Sequence, residues 1–241
     1  MFQNFVIKMK KIFFGLFLLQ LTNGAFALSS PIKSTVDGFN LPNLHQVDRE
    51  GLVYRSMSPD KEMSVLQKLG IKNVLIFKNQ TRREVDKEIL ELSKLKITHL
   101  HIPFLWKDIE DYSQACQQIV SGIQFIKRSI KQKKKVLFHC TVGEDRTGIL
   151  SGLFTMLNES KSIEDVFRQE MCEKGYGKGN PFKPYKVTSA IRSDLTPLFL
   201  AMAKRIAESK VTLSDINESL CHELKVESEH DFDCESSSLI D

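Results

Sequence analysis

The sequence predicts an α/β domain with a central, mostly parallel sheet flanked by helices, and three observations lead there. Short runs of branched and aromatic residues alternate with stretches of helical spacing. Two of the runs, Val74–Phe77 and Val136–Phe138, are apolar at every position, as strands covered on both faces must be. The chain from Leu28 to Asp241 is long enough for one substantial core and gives no reason to invoke a second.

Residues 1–27 stand apart from the fold. Lys8, Lys10 and Lys11 precede the apolar run Ile12–Leu19, and Ala25-Phe26-Ala27 places small residues where a signal peptidase cuts. The run is too short to span a bilayer, so the order reads as a secretory signal peptide; the alternative is an uncleaved amphipathic anchor. No later stretch approaches the ~20 apolar residues of a spanning helix. The expected organisation is a signal peptide over 1–27, one domain over 28–216 and an acidic tail over 217–241, in a periplasmic or secreted protein. The net charge of +4 hides an asymmetry, because the tail holds eight acidic residues against Lys225 alone. The body is therefore basic, which suits an anionic substrate or surface.

The elements follow in order. Gly51–Ser56 predicts a short strand. Ser58-Pro59-Asp60-Lys61-Glu62 opens a helix, with Ser58 as cap and Met63, Leu66 and Leu69 as the buried stripe that Gly70 ends. Ile71–Phe77 reads as a central strand, Glu84–Lys94 as a helix and His99–Pro103 as the next strand. A loop around Trp106–Asp111 leads into a long helix over Tyr112–Lys131, with Ala115, Ile119, Ile123 and Ile126 on one side. The strand Val136–His139 stops at Cys140. Helical spacing resumes over Thr147–Leu157, Ile163–Met171 and Pro197–Ser209, and the glycines of Gly175–Pro181 require a loop.

Five cysteines follow the leader: Cys116, Cys140, Cys172, Cys221 and Cys234. None forms a CxxC pair, which leaves no thiol-redox motif and no support for zinc. An oxidising destination allows two disulfides and one free thiol. Cys221 with Cys234 closes the shortest loop and is the expected staple for the tail; reduced, the two would be ordinary small side chains.

The chemistry concentrates in His139-Cys140-Thr141-Val142-Gly143-Glu144-Asp145-Arg146-Thr147-Gly148. This segment joins the carboxyl end of a strand to a helix N-terminus, where α/β sheets bind ligands. If the backbone from Cys140 to Arg146 curls, the amides of Thr141, Val142, Gly143, Glu144, Asp145 and Arg146 face a tetrahedral dianion. Gly143 allows the backbone angle this needs. Arg146 presents a planar fork of donors to two phosphoryl oxygens. Amides, helix terminus and guanidinium together favour a Cys140 thiolate, and Thr147 is placed to donate to the sulfur. His139 is expected to shape the loop by hydrogen bonding. Glu144 and Asp145 oppose this design unless neighbouring groups engage them.

His139-Cys140-x-x-Gly143-x-x-Arg146-Thr147 resembles the signature of the protein tyrosine and dual-specificity phosphatase superfamily. The fuller Gly143–Gly148 form resembles a bacterial branch acting on phosphotyrosine and, in some members, phosphoinositides, although that branch often has lysine where this chain has Glu144. Val53-Tyr54-Arg55-Ser56 is similar to the opening of small atypical dual-specificity phosphatases. The resemblance implies a cysteine-dependent phosphatase fold over roughly Leu44–Met171 and a two-step reaction through a cysteinyl-phosphate, with no cofactor and no metal. It also implies a general acid some thirty residues before the cysteine. Asp108 and Asp111 both stand at that distance; Asp108 is favoured because it follows Trp106, whose ring anchors the loop, while Asp111 suits a helix cap and Glu110 is a weaker third candidate. Expected substrates are phosphorylated proteins or small phosphomonoesters. The alternatives are an inositol phosphate or phosphoinositide substrate, and a phosphate-binding interaction protein without turnover. Trp106 lacks the company of an RNA-binding aromatic pattern, so no nucleic-acid partner is expected. Lys78, Arg82 and Arg83 read as a positive rim or as solvated charges. Arg55 reads as the partner of a carboxylate beneath the loop or as a surface ion pair, and Tyr176 and Lys178 as a border of the pocket.

Overall fold

The structure is a computed structural model and describes residues 32–177 and 183–234. The expected leader, Lys178 and the last residues of the tail lie outside these.

Five strands form one sheet: β1 (His45–Gln46), β2 (Val53–Ser56), β3 (Asn73–Phe77), β4 (Thr98–Ile102) and β5 (Val136–His139). Their order is β1-β2-β5-β3-β4, and β1 alone runs antiparallel. Helices α1 (Met63–Leu69), α2 (Glu84–Lys94), α3 (Tyr112–Lys131) and α4 (Asp145–Glu159) connect and follow the strands. After them come α5 (Ile163–Val166), α6 (Tyr185–Ala190) and α7 (Thr196–Ser209). The sheet is therefore mostly parallel and covered by helices, as the alternation predicts.

The apolar runs split between two cores by strand periodicity. Val74 and Ile76 of β3 join Leu137 and the α1 residues Val65, Leu66 and Leu69 on one side. Leu75 and Phe77 join Phe138, Ile119 and Ile123 of α3, and Ile149 and Leu153 of α4 on the other. A strand that feeds two cores has no polar face to show, which is why β3 and β5 carry none. Helix α4 is buried along nearly its whole length, between α3, α7 and the turns after α5.

Helices α2 and α3 begin and end at the predicted residues. The stretch after Ile163 holds a surprise: α5 widens into a π-helical turn over Phe167–Met171, and α6 into another over Ile191–Leu195. Three expectations are corrected. Ser58 does not cap the first helix; its hydroxyl donates to Asp60 (2.9 Å) and accepts from Lys78 (3.0 Å). Lys78 is no rim residue, because a buried carboxylate, Glu88, lies 3.5 Å from its ammonium and both side chains are shut from solvent. Cys221 does not pair with Cys234: the disulfides are Cys116–Cys221 and Cys172–Cys234. Both tie the C-terminal segment to the domain, whereas the predicted bond would have tied it to itself.

Candidate active site

Parallel pairing sets the position of the site. His139 of β5 lies between Ser56 of β2 and Ile76 of β3, so all three strands end at one edge and Cys140 emerges there. From Cys140 the chain turns directly into α4 at Asp145. Gly143 makes the turn possible. Its φ is +76°, and an added Cβ would lie 2.5 Å from backbone atoms of Ser56 and Met57. Only glycine meets both conditions.

The loop carbonyls are held from the protein side. The Cys140 carbonyl faces Nδ1 of His139 at 2.9 Å, and the Thr141 carbonyl accepts from the Ser58 amide at 3.1 Å. The Gly143 carbonyl accepts from both Arg55 Nη2 and Asn43 Nδ2, each at 2.7 Å. The Glu144 carbonyl accepts from the Gly148 amide at 2.6 Å. In a trans peptide the next N–H points opposite to its carbonyl, so fixing these oxygens inward turns the following amides outward. The amides of Thr141, Val142, Gly143, Asp145 and Arg146 donate to no protein group among the described residues. A run of such amides ending at a helix N-terminus is an anion cradle.

Cys140 is the free cysteine among the described residues, and it is buried. Burial pushes its thiol up, but the Arg146 guanidinium and then the hydroxyl and amide of Thr147 outweigh burial, and the thiol lies below its ordinary value; Asp145 opposes them. The Thr147 hydroxyl is buried and helps draw the sulfur toward its anion. Arg146 is braced by the Phe104 carbonyl (3.2 Å) and the Thr141 hydroxyl (3.0 Å). The guanidinium lies near enough to the sulfur to favour its anion.

Arg55 lies wholly beneath the loop. It has no solvent exposure and donates to carbonyls of Gly143 and Glu170. Burial pushes it down to about 10, with Glu170, the Cys140 sulfur, Glu144 and Asp145 holding it up, so it remains a cation at neutral pH. Its partners are backbone oxygens, and the sequence reading had offered a carboxylate or a surface pair. Behind His139 stands a buried set that the sequence reading missed. The Nε2 of His139 is 2.7 Å from Glu88, which also faces Lys78. Burial pushes the Glu88 carboxyl up, but His139 and Lys78 prevail and hold it below the ordinary range.

Asn43 was missed as well. No motif marks it, although its left-handed backbone (φ 54°) is a conformation that asparagine tolerates. Its carbonyl oxygen faces His45 Nε2 at 2.7 Å, while Thr35 faces Nδ1 at 2.9 Å. Burial, then Arg55 and Lys174, push His45 down to about 3. The ring is therefore neutral, with its proton on Nε2 toward Asn43.

The two candidate acids differ. Asp111 is the α3 cap and accepts from the Gln114 amide at 2.9 Å. Asp108 sits in a left-handed turn with an exposed carboxylate 2.9 Å from Lys107, and its amide donates to Asp194 at 2.5 Å. The same loop reaches the site through Phe104, whose carbonyl holds Arg146 and whose ring stacks on Phe77. Trp106 is half-buried against the core, with Lys107 over its ring. Tyr176 lines a cavity together with Gly177, Lys183 and Thr196. It is buried, its hydroxyl pairs with Thr196 at 2.9 Å, and burial raises it far above the usual phenol value.

Comparison with known proteins identifies the architecture. The family model "Dual specificity phosphatase, catalytic domain" matches residues 53–172. An uncharacterized protein of Methanocaldococcus jannaschii is 31% identical over 75 residues, covering 31% of this chain and 47% of that protein, so the match spans about half of the relative's length. Among solved structures, TpbA of P. aeruginosa is similar at 22% identity over 67% of this chain and 91% of its own, with a TM-score of 0.46. The catalytic core of the PP-IP phosphatase SIW14 from S. cerevisiae is similar at 20% identity over 71% and 94%, with a TM-score of 0.47.

Proposed function

We propose that this chain, which has the dual-specificity phosphatase catalytic fold, is an exported cysteine-dependent phosphatase that hydrolyses phosphotyrosine, with phosphoserine and phosphothreonine as further substrates. One observation carries the reading: a buried thiol, drawn toward its anion by Arg146 and Thr147, at the foot of outward-facing amides.

In the first step the Cys140 sulfur attacks phosphorus and the bond to the leaving oxygen breaks. The amides and Arg146 take up charge on the three equatorial oxygens, and an aspartic acid gives its proton to the leaving oxygen. In the second step water attacks phosphorus and returns a proton to that aspartate. The sulfur–phosphorus bond breaks, and the Thr147 hydroxyl stabilises the departing thiolate. Asp108 suits the acid role better than Asp111, because the Asp111 carboxylate is already engaged in capping α3. Asp108 is exposed on a loop linked to Arg146 through Phe104.

The test is steady-state hydrolysis of an aryl phosphate without added metal. Turnover is expected, Cys140→Ser abolishes it, and Asp108→Asn lowers it about a hundredfold or more. Undiminished turnover in Cys140→Ser would sink the assignment. Tight vanadate binding without turnover would convert the chain to a phosphate-binding protein. A loss in Asp111→Asn in place of Asp108→Asn moves the acid role. Two disulfides support export, since such bonds persist in oxidising compartments.

A further inference from the structure

Two loop residues carry charge of the wrong sign for the proposed chemistry. Glu144 and Asp145 would repel both a phosphoryl dianion and a thiolate, and Asp145 does push the Cys140 thiol upward. The fold answers with a residue from a distant segment. Lys183, just before α6, places its ammonium 2.6 Å from Asp145 Oδ1, 3.2 Å from Glu144 Oε2 and 3.0 Å from the Gly175 carbonyl. Its side chain is only 6% exposed. The Gly177 amide adds a bond of 3.0 Å to the same Asp145 oxygen.

A lysine this deep loses most of its hydration, so its position is stable only because the carboxylates replace that water. The arrangement is reciprocal, and Lys183 lies beyond residues 53–172, the span that the family model matches. We infer that Lys183 is a positioning residue of the proposed phosphatase site: it cancels Asp145 and Glu144, so that Arg146 and Arg55 set the charge of the cradle, the loop admits a dianion, and the Cys140 sulfur is held as its anion. This rests on the phosphatase reading for its purpose, though the charge coupling is measurable without turnover. The groups that face the sulfur are Arg146, Thr147 and Asp145 from α4 and Arg55 from β2; His139 adjoins it, with Glu88 and Lys78 behind.

The experiment follows alkylation of Cys140 by iodoacetamide across pH, a neutral reagent that the loop charge does not attract. In Lys183→Gln, which keeps a hydrogen-bond donor but no charge, the rate at neutral pH should fall about tenfold and the profile should move to higher pH. Inorganic phosphate, read by protection of the sulfur, should bind about tenfold more weakly. Lys183→Arg should keep the wild-type profile, and Asp145→Asn added to Lys183→Gln should restore most of the shift. Asp145→Asn with Lys183 intact should move the profile to lower pH, a reading that holds even if Lys183→Gln does not fold. An unmoved profile in folded Lys183→Gln overturns the inference, as does a shift that Asp145→Asn fails to reverse, because a structural defect would not be corrected by removing a charge. The two proposals fail separately. Alkylation shifts in a chain that never hydrolyses an aryl phosphate support the coupling and sink the enzyme, whereas full turnover with no shift does the reverse.

Discussion

Gly143 has no freedom to become another residue. Its positive φ favours glycine, and a methyl group would meet the backbone of β2 and the residue after it at 2.5 Å. Gly143→Ala should destabilise the fold by about 3 kcal/mol, combining backbone strain with a clash that no side-chain rotation relieves. Urea unfolding checks this, and an unchanged midpoint would mean that the loop relaxes. The signature residues were legible because the proposed chemistry demands particular atoms: a sulfur, a guanidinium and a glycine at fixed spacing. Asn43, Glu88 and Lys183 were not, since each acts from a distant segment and its type alone announces nothing. Asn43 and Gly143 are 100 positions apart, yet share a hydrogen bond.

Charge partners also decide how the elements hold together. Glu88 on α2 faces His139 at the end of β5 and Lys78 after β3, all three buried. Glu88→Ala leaves two buried basic groups without their carboxylate and should cost about 4 kcal/mol, again read by urea unfolding. A loss well under 1 kcal/mol would show that water replaces the carboxylate. The pH dependence has a definite sign. The folded Glu88 carboxyl lies below its unfolded value of 4.5, so its contribution is complete above that value and is lost as pH falls through the folded one. His45 adds to this: unfolded it binds a proton near 6.5 and folded only near 3, so stability falls as pH drops between them. Both effects make the fold acid-labile. At this level the sequence reading succeeded where periodicity was strong, as in α2 and α3, the latter also capped by Asp111. It missed the π-helical turns because widening a helix by one residue depends on what packs against it, here Phe199 and Tyr176 around Phe167.

The two disulfides act on the whole molecule. Cys116–Cys221 joins α3 to the turn after α7 across 105 positions, and Cys172–Cys234 joins the segment beside the loop to the tail across 62. Closing loops of this length removes about 4 kcal/mol of unfolded-chain freedom for each bond. Cys116→Ser/Cys221→Ser should therefore lower the thermal midpoint by about 10 °C. Expressed with its leader, the proposed exported chain should be recovered starting at Leu28, with both pairs oxidised and Cys140 as its one free thiol, which peptide mass mapping reads directly. A retained leader or five free thiols would contradict export. Among the described residues no helix is long and apolar enough to cross a membrane.

Local patterns in the chain determined the strand-and-helix alternation, the place of Cys140 at a strand end and the position of Arg146 in the loop that follows. These depend on neighbours a few positions apart, where geometry is fixed by the backbone itself. Only the tertiary structure decided which cysteines meet, which cation answers Asp145, and that Lys78 and Arg55 are buried. Such pairings join segments whose separation along the chain leaves many alternatives open, and packing selects one by burying charge against charge.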